Sequence, residues 1–269
     1  MFQEEKGRKL GALLAAAALV VSLVTIPAFA APSLKPGQGE TVIVAEDDGA
    51  ANADRAPRQV NVHMGDDPSA QVNFTYTTVA ESTTQVVIRE QGGSESVTLQ
   101  GTAGVGQGGK FFHAIAVEGL LPDTVYEYTV GYGANVYDGK FQTAPPAGSQ
   151  RTIKFAYLAD TQVSNATNAQ SLGATLHEVN QIPNLDFVYI AGDVTDTATS
   201  ESQWEQLFYN EGAFPNGGQD MFGNNLLAVT QGNHDNNVMH RHINAPAQQG
   251  NIVYAFDYGP ATFIILNLE

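Results

Sequence analysis

The first half of the chain alternates apolar and polar residues with a period of two. The alternation is clear in the runs 71–76, 84–88 and 125–130, which are separated by Gly, Asp and Ser. Such runs predict half-buried β-strands, and no helical spacing interrupts them. Regular short strands with turn residues between them therefore predict a β-sandwich over residues 57–146.

The second half changes to apolar runs that alternate with helical spacing. An apolar run at 152–159 is followed by Leu172, Leu176 and Val179, and a second run lies at 187–191. Further elements continue the series: a helix marked by Trp204, Leu207 and Phe208, a strand at Leu226–Thr230, and two strands at 253–258 and 262–268 joined by Gly259-Pro260. This order predicts an α/β domain over 152–269, with strands covered on both faces, after a linker at 147–151.

The N-terminus has the pattern of a targeting segment. Basic residues precede an uncharged run from Leu10 to Ile26, and Ala28-Phe29-Ala30 is a small-x-small cleavage pattern. Residues 1–30 therefore predict a signal peptide and an exported, secreted or cell-envelope protein, with an uncleaved membrane anchor as the alternative. Residues 31–56 lack hydrophobic periodicity and predict a flexible leader, in which 41–44 is a weak strand candidate.

The net charge and the cysteine content exclude several classes of partner and metal site. The formal net charge of −16 argues against nucleic acid and anionic membrane surfaces as partners, because both require a basic surface. We expect no stable membrane insertion after signal cleavage. The absence of cysteine excludes disulfides and zinc–thiolate sites, so any metal must be held by oxygen and imidazole ligands.

Three apolar strands of the second half each end in a polar cluster. The clusters are Asp160-Thr161-Gln162, Gly192-Asp193-Val194-Thr195-Asp196, and Gly232-Asn233-His234-Asp235. Ligands of open α/β sheets bind beyond the carboxyl ends of the strands, so the three clusters can form one site. Each cluster alone is more often a turn or a helix cap. Their order and residue types together favour a site.

A tyrosine motif marks the β-sandwich. The segment 119–128 contains Leu120, Pro122, Thr124 and Tyr126 in the spacing of the tyrosine corner, and it resembles fibronectin type III domains. The resemblance implies that Tyr126 bonds back to the main chain. The early tryptophan of such domains is missing here, and Phe74 or Tyr76 can fill its volume.

A second motif in this half is misleading. Residues 104–110 have the Gly-x-x-x-x-Gly-Lys spacing of a phosphate-binding loop. The next residue is Phe111 instead of Ser or Thr, and no helix pattern follows to direct main-chain amides at a phosphate. The pattern favours a glycine-rich hairpin loop.

The three polar clusters resemble the motifs of calcineurin-like metallophosphoesterases. With the preceding β-sandwich, the chain is similar to purple acid phosphatases and their bacterial relatives. The resemblance implies that Asp160 ligates a first metal, that Asp193 bridges two metals and that Asn233 ligates the second. It also implies that His234 stabilises the phosphoryl transition state. Two cations about 3.5–4 Å apart would activate a water and neutralise the phosphate charge.

Two positions depart from the family pattern. Gln162 stands where many members have a histidine ligand, and an amide oxygen binds hard cations better than soft ones. Asp196 stands where purple members have tyrosine, so we expect no tyrosinate–iron chromophore. Asp196 and Asp235 are expected to be carboxylates that orient ligands. The expected cofactors are two divalent or mixed-valence metal ions, from Mn, Fe or Zn.

The family completes its site with a later histidine and a Gly-His-x-His block, and the last histidine here is His242. We therefore expect that these 269 residues carry an incomplete α/β metallophosphoesterase domain, which by itself has weak metal binding and little turnover, and that a longer reading frame from the same source carries the downstream Gly-His-x-His. In the family a histidine near His242 borders the substrate cleft, and a solvated loop residue is the alternative.

Two functions follow from these patterns. The leading hypothesis is an exported phosphoester hydrolase acting on small phosphomonoesters or diesters through a two-metal site. The alternative is a non-catalytic secreted binding or adhesion module with a degenerate phosphoesterase domain. The missing ligands favour the alternative, and the four matching groups Asp160, Asp193, Asn233 and His234 favour the enzyme.

Overall fold

The structure is a computed structural model that describes residues 47–209, 218–235, 242 and 253–266. The predicted signal peptide, the leader up to residue 46 and the strand candidate at 41–44 lie outside these residues. The strands are β1 (Arg58–Met64), β2 (Gln71–Thr78), β3 (Gln85–Glu90), β4 (Ser96–Gln100), β5 (Thr102–Val105), β6 (Phe111–Glu118), β7 (Val125–Tyr132), β8 (Asn135–Gln142), β9 (Phe155–Leu158), β10 (Phe187–Ala191), β11 (Leu226–Thr230), β12 (Tyr254–Tyr258) and β13 (Ala261–Ile265). The helices are α1 (Ala166–Asn180), α2 (Glu201–Phe208) and α3 (Gly218–Asn224).

The N-terminal strands form an antiparallel β-sandwich. One layer has the strand order β5-β6-β2-β1 and the other has the order β4-β3-β7-β8. The apolar residues of the predicted alternation meet between the layers, where Phe74 packs 4.7 Å from Tyr128 and 5.8 Å from Phe141, between ring centroids. Phe74 is fully buried and fills the centre of this core. The predicted β-sandwich is confirmed.

The tyrosine corner is present in the predicted form. The main-chain N–H of Leu121 donates to Tyr126 Oη over 2.9 Å. This bond closes the turn that leads into β7. The glycine-rich segment 104–110 is also a hairpin loop, as predicted, because it joins the antiparallel strands β5 and β6.

The C-terminal part forms a mixed α/β layer. Strands β9, β10 and β11 are parallel, and α1 crosses between β9 and β10. Helix α1 begins after Asn165, whose side chain accepts from the main-chain N–H groups of Thr167 and Asn168. Its buried Leu176 packs in one apolar cluster with Trp204 of α2 and Phe222 of α3. The sequence did not predict α3.

The two parts share a sheet. Strand β1 of the sandwich pairs in parallel with β11 through His63 and Leu227, so one seven-stranded sheet runs β5-β6-β2-β1-β11-β10-β9. Helices α2 and α3 cover the face of β1 that points away from the sandwich core. Polar residues on that face are therefore buried as completely as the apolar ones.

Strand β9 differs from the prediction of strands covered on both faces. Ala156 and Leu158 pack against the helices, but Phe155 and Tyr157 on the other face are 41% and 62% exposed. In the described part of the chain, Phe263 of the β12–β13 hairpin contacts Phe155 from this side. The apolar sequence of β9 alone could not reveal that its neighbours cover one face better than the other. No helix among the described residues is long and apolar enough to cross a membrane.

Two buried histidines of the sandwich are neutral. His63 Nε2 contacts Thr75 Oγ1 at 2.8 Å, and because Thr75 donates its own proton to the main-chain oxygen of His242, the His63 ring must be the donor. His113 lies between the hydroxyls of Thr78 and Thr84, at 2.9 Å and 2.7 Å. Burial lowers the pKa of each histidine to about 3.

These histidines predict destabilisation by mild acid. In the unfolded chain these histidines become protonated as pH falls below their ordinary pKa of 6.5, whereas in the folded chain they stay neutral down to about pH 3. The free energy of unfolding therefore decreases as pH falls through this range. Each histidine contributes a slope of up to about 1.4 kcal/mol per pH unit. Asp235 acts in the opposite direction, since its pKa is raised to about 6.

Urea unfolding at pH 7 and pH 5 measures the effect. The substitution His113→Gln should reduce the loss of stability between these two pH values by up to about 2 kcal/mol. A loss of the same size in the variant and the parent would contradict the assignment.

Candidate active site

The carboxyl ends of three parallel strands lie side by side. Ile190 of β10 is in register with Leu158 of β9, and Ala191 is in register with Thr230 of β11. The three polar clusters follow these residues within two or three positions. The edge of the sheet therefore brings together the segments that carry Asp160, Asp193 and Asn233, as expected for parallel strands.

The main chain at this edge is strained. Asp160, Gln162 and Asp193 have φ values of 48°, 34° and 48°, in the left-handed region that non-glycine residues rarely adopt. The other non-glycine residues with positive φ, among those described, are Gln59, Asp123 and Asn184. Such strain costs about 1–3 kcal/mol per residue and concentrates at functional sites. Three predicted ligands therefore share a main-chain conformation that is uncommon for non-glycine residues.

Two glycines allow the ends of β10 and β11 to approach. Gly192 has a φ of 79°, and a Cβ there would lie 3.0 Å from Gly232 Cα. A Cβ on Gly232 would lie 2.5 Å from the main-chain nitrogen of Asp193 and 2.8 Å from its Cγ. Any larger residue at either position would push Asp193 away from the third cluster.

Hydrogen bonds join the three clusters around Asp193. Its buried carboxylate accepts from the main-chain N–H of His234 at 2.9 Å. Its main-chain oxygen accepts from the N–H of Gln162 at 2.8 Å. Asp193 is therefore the centre of the arrangement, whereas the side chains of Asp160 and Asn233 are exposed at its surface.

His234 is oriented by the second cluster. Its Nδ1–H donates to the main-chain oxygen of Asp196 at 2.7 Å, and the Asp196 carboxylate lies 3.8 Å from the same nitrogen. This bond raises the pKa of His234 above its ordinary value against the effect of desolvation, and the carboxylates of Asp193, Asp196 and Asp235 raise it further. The sequence suggested that the Asp196 carboxylate would orient a metal ligand. In the structure, the short contact of Asp196 is made by its carbonyl to His234.

Asp235 ties the second and third clusters together. Its carboxylate accepts from the main-chain N–H groups of Val194 and Gly232, each at 3.0 Å. Burial raises the pKa of Asp235 to about 6, partly offset by these bonds, and the charge of Asp193 raises it further. Its position is consistent with the predicted role of orienting the site.

Two further polar groups lie beside the predicted ones. Thr195 Oγ1 and Gln231 Oε1 are buried and have no hydrogen-bond partner among the described residues. Thr195 lies two residues after Asp193, and Gln231 lies directly after β11. The sequence patterns did not single them out, because nothing distinguishes a threonine or glutamine here from an ordinary turn residue.

The oxygen-rich donor set fits part of a metal centre. The predicted ligands are two carboxylates and two carboxamide oxygens, which suit hard cations. Within the described ranges, no three Asp, Glu or His side chains are grouped closely enough to enclose a metal ion. A complete two-metal centre therefore needs ligands beyond these four residues.

His242 is placed differently from both sequence expectations. It is buried, its ring stacks on Trp204 at 4.3 Å, and its Nδ1 lies 3.2 Å from Gln59 Oε1. It borders neither an open cleft nor solvent. The physical reason is that β1 and α2 close around this ring, which a linear pattern cannot show.

Comparisons with known proteins agree with the two-part architecture. Residues 57–155 match the family described as "Purple acid Phosphatase, N-terminal domain". Residues 153–265 match the family described as "Calcineurin-like phosphoesterase". No curated protein gives a significant match.

Solved structures with local similarity include the following three proteins. Astrotactin-2, described as vertebrate-specific and perforin-like, is 12% identical over 46% of this chain and 25% of that chain, with a TM-score of 0.28. The FN1–FN3 domains of chicken CNTN1 are 16% identical over 33% and 31%, with a TM-score of 0.22. The Faecalibacterium prausnitzii β-glucuronidase is 9% identical over 56% and 26%, with a TM-score of 0.24.

The chain spans less than a third of the length of each of these three structures. The assignment therefore rests on the two family matches together with the observed strands. These place a purple acid phosphatase N-terminal domain in front of a calcineurin-like phosphoesterase domain. Residues 57–155 therefore belong to the purple acid phosphatase N-terminal domain family, and residues 153–265 belong to the calcineurin-like phosphoesterases.

Proposed function

We propose that this protein is an exported metal-dependent phosphoester hydrolase whose site lies at the carboxyl ends of β9, β10 and β11. The observation that carries the proposal is the strained left-handed main chain at Asp160, Gln162 and Asp193, around a carboxylate that is bonded to the next cluster. Main-chain strain of this kind concentrates at functional sites, which supports a ligand site here.

The predicted ligands are Asp160, Gln162, Asp193 and Asn233, completed by residues beyond those that the structure describes. They would hold two metal ions, from Mn, Fe or Zn, and the oxygen donors at Asp160 and Gln162 favour a hard cation at that position. When bound, such ions supply an activated water and neutralise charge on the phosphate. Asp193 lies between the other clusters and is placed to serve both ions.

His234 is placed to act on the substrate. Its Nδ1–H is held by the Asp196 carbonyl, which leaves Nε2 on the opposite side of the ring. In the protonated ring, this Nε2–H can donate to a phosphate oxygen or to the departing oxygen, where negative charge develops. The fixed Nδ1 bond sets the ring orientation before substrate arrives.

The acidic chain favours a small substrate. A net charge of −16 repels polyanions, so phosphomonoesters and small diesters are the expected substrates. An exported, secreted or periplasmic location follows from the predicted signal peptide and is part of the same proposal.

Metal analysis of the protein purified from its source tests the proposal. We expect two equivalents of Mn, Fe or Zn, loss of phosphomonoester hydrolysis on chelation, and its return when the same metal is added. The proposal would be contradicted if the purified protein contained no metal and hydrolysed neither a chromogenic monoester nor a diester, even after Mn, Fe or Zn was added. That result would favour the non-catalytic binding module, for which the exposed Tyr157 and Phe155 face of β9 is the specific observation.

A further inference from the structure

The glycine-rich hairpin loop between β5 and β6 contacts the segment that leads from the candidate site to α2. Gln107 Nε2 donates to the main-chain oxygen of Thr199 at 2.8 Å. Lys110 Nζ donates to Glu201 Oε1 at 3.2 Å and to Glu205 Oε2 at 2.8 Å. A motif that resembles a phosphate-binding loop is therefore a contact between the sandwich and the phosphoesterase domain.

The glycines serve this contact. Gly108 and Gly109 have φ values of 65° and 73°, which side chains rarely adopt. A Cβ on Gly108 would lie 3.3 Å from Glu201 Cγ, tighter than most such contacts. The loop therefore needs glycine both to turn and to lie against the first residue of α2.

The charged part of the contact is largely shielded from water. The side chains of Lys110 and Glu201 are 12% and 9% exposed. Glu201 also accepts from Gln59 Nε2 at 2.7 Å and lies 3.3 Å from His242 Nε2. Burial raises the pKa of Glu201, but the hydrogen bond and charge of His242, with Gln59 and Lys110, outweigh burial and hold this pKa below its ordinary value. Removing one charge of the Lys110–Glu201 ion pair would leave the other charge buried without a partner of opposite sign in that pair.

The segment from Asp196 to Glu201 links this contact to His234. At one end the Asp196 carbonyl accepts from His234 Nδ1, and at the other end Glu201 and Thr199 are held by the sandwich. Between them, hydrogen bonds restrain the turn: Thr197 N to Gln203 Oε1 at 2.7 Å, Ser200 N to Thr197 O at 2.8 Å, and Trp204 Nε1 to Ala198 O at 2.7 Å. Thr199 is thus three positions, and Glu201 five positions, from the Asp196 carbonyl that orients the ring.

We propose that Lys110 and Gln107 are positioning residues, which hold the Asp196–Glu201 segment so that the Asp196 carbonyl orients His234. The sandwich domain then helps to fix the orientation of a side chain in the candidate site. The consequence for catalysis rests on the proposed function, whereas the orientation of His234 does not. The sandwich touches this segment through side chains, so single substitutions can separate the two domains locally without altering either core.

The test uses the full chain and three substitutions at two positions of the contact. Lys110→Met keeps the length of the side chain and removes its charge, while Lys110→Arg restores a cation. Gln107→Ala removes an exposed hydrogen bond and leaves the buried ion pair intact, so it remains informative if Lys110→Met does not fold. Arg89→Met is the matched control, because the Arg89–Glu127 ion pair joins two sandwich strands away from this segment.

Two readouts do not depend on activity. Nuclear magnetic resonance of the His234 ring reports the Nδ1–H hydrogen bond, and amide exchange reports the Thr197–Ser200 turn. We expect exchange in this turn to accelerate about tenfold in Lys110→Met and less in Gln107→Ala, with a shifted His234 Nδ1 signal in both. Lys110→Arg should restore the parent values, and Arg89→Met should leave them unchanged.

An unchanged His234 signal in folded Gln107→Ala and Lys110→Met would overturn the proposal. Equal acceleration of exchange across the whole chain would also overturn it, because that result indicates a loss of global stability only. If the His234 signal shifts as expected while the purified parent hydrolyses no phosphoester, the positioning is supported and the proposed function fails separately.

Discussion

Replacing Trp204 with alanine is expected to lower the free energy of unfolding by about 3–5 kcal/mol. The indole is fully buried, stacks on His242 at 4.3 Å and lies 5.9 Å from the Phe208 ring, between centroids. Its Nε1–H also donates to the carbonyl of Ala198, which would lose this partner. Truncation therefore removes packing from the core of the phosphoesterase domain and a bond to the segment that orients His234.

Far-ultraviolet circular dichroism during urea unfolding measures this loss. Trp204 is the sole tryptophan of the chain, so its fluorescence is absent from the variant and cannot be used for the comparison. Trp204→Phe is the control, because it keeps an aromatic ring while it removes the N–H and part of the indole volume, and it should lose less stability. A loss below about 1 kcal/mol in Trp204→Ala would show that the ring is not packed as described.

Replacing Gly232 with alanine is expected to displace Asp193. The new Cβ would lie 2.5 Å from the Asp193 main-chain nitrogen, closer than atoms can approach, and 2.8 Å from Asp193 Cγ, so both the main chain and the carboxylate of Asp193 must move. Overpacking of this kind costs about 1–3 kcal/mol. If the proposed metal centre is correct, the shift of Asp193 should also weaken metal binding by about 10–100-fold.

Gly104→Ala is the matched control for this substitution. Gly104 lies in β5, and a Cβ there meets nothing within 4 Å. Its unfolding free energy should stay within about 0.5 kcal/mol of the parent. Equal stability of Gly232→Ala and Gly104→Ala would exclude the close approach of β10 and β11, whereas a stability loss without weaker metal binding would count against the metal centre alone.

Local patterns predicted most of the strands and helices. Alternation located β2, β3 and β7, and apolar runs located β10 and β11, because in each case the side chains that define the pattern are those that meet in a core. The Tyr126 hydrogen bond was predictable for the same reason, since its partner Leu121 lies five residues away. Helix α3 was missed, because its seven residues include two glycines and follow no clear period.

The candidate site was predictable only as a set of strand ends. Residue types and order identified Asp160, Asp193, Asn233 and His234, and parallel pairing explains why the segments that carry them meet. The left-handed main chain at Asp160 and Asp193 accompanies hydrogen bonds between the clusters. The bonds from Gln162 N to Asp193 O and from His234 Nδ1 to Asp196 O join residues that are 31 and 38 positions apart. No local pattern carries such information.

The sequence by itself determined the two domains, their strand order along the chain and the chemistry of the strand ends. Tertiary structure alone decided which polar residues are buried. Gln59, His63 and Thr75 follow the alternation of a half-exposed strand, yet they are buried because α2 and His242 cover their face of the sheet. Alternation of apolar and polar residues shows that a strand has two faces. Which side chains pack on each face is decided here by residues more than a hundred positions away in the sequence.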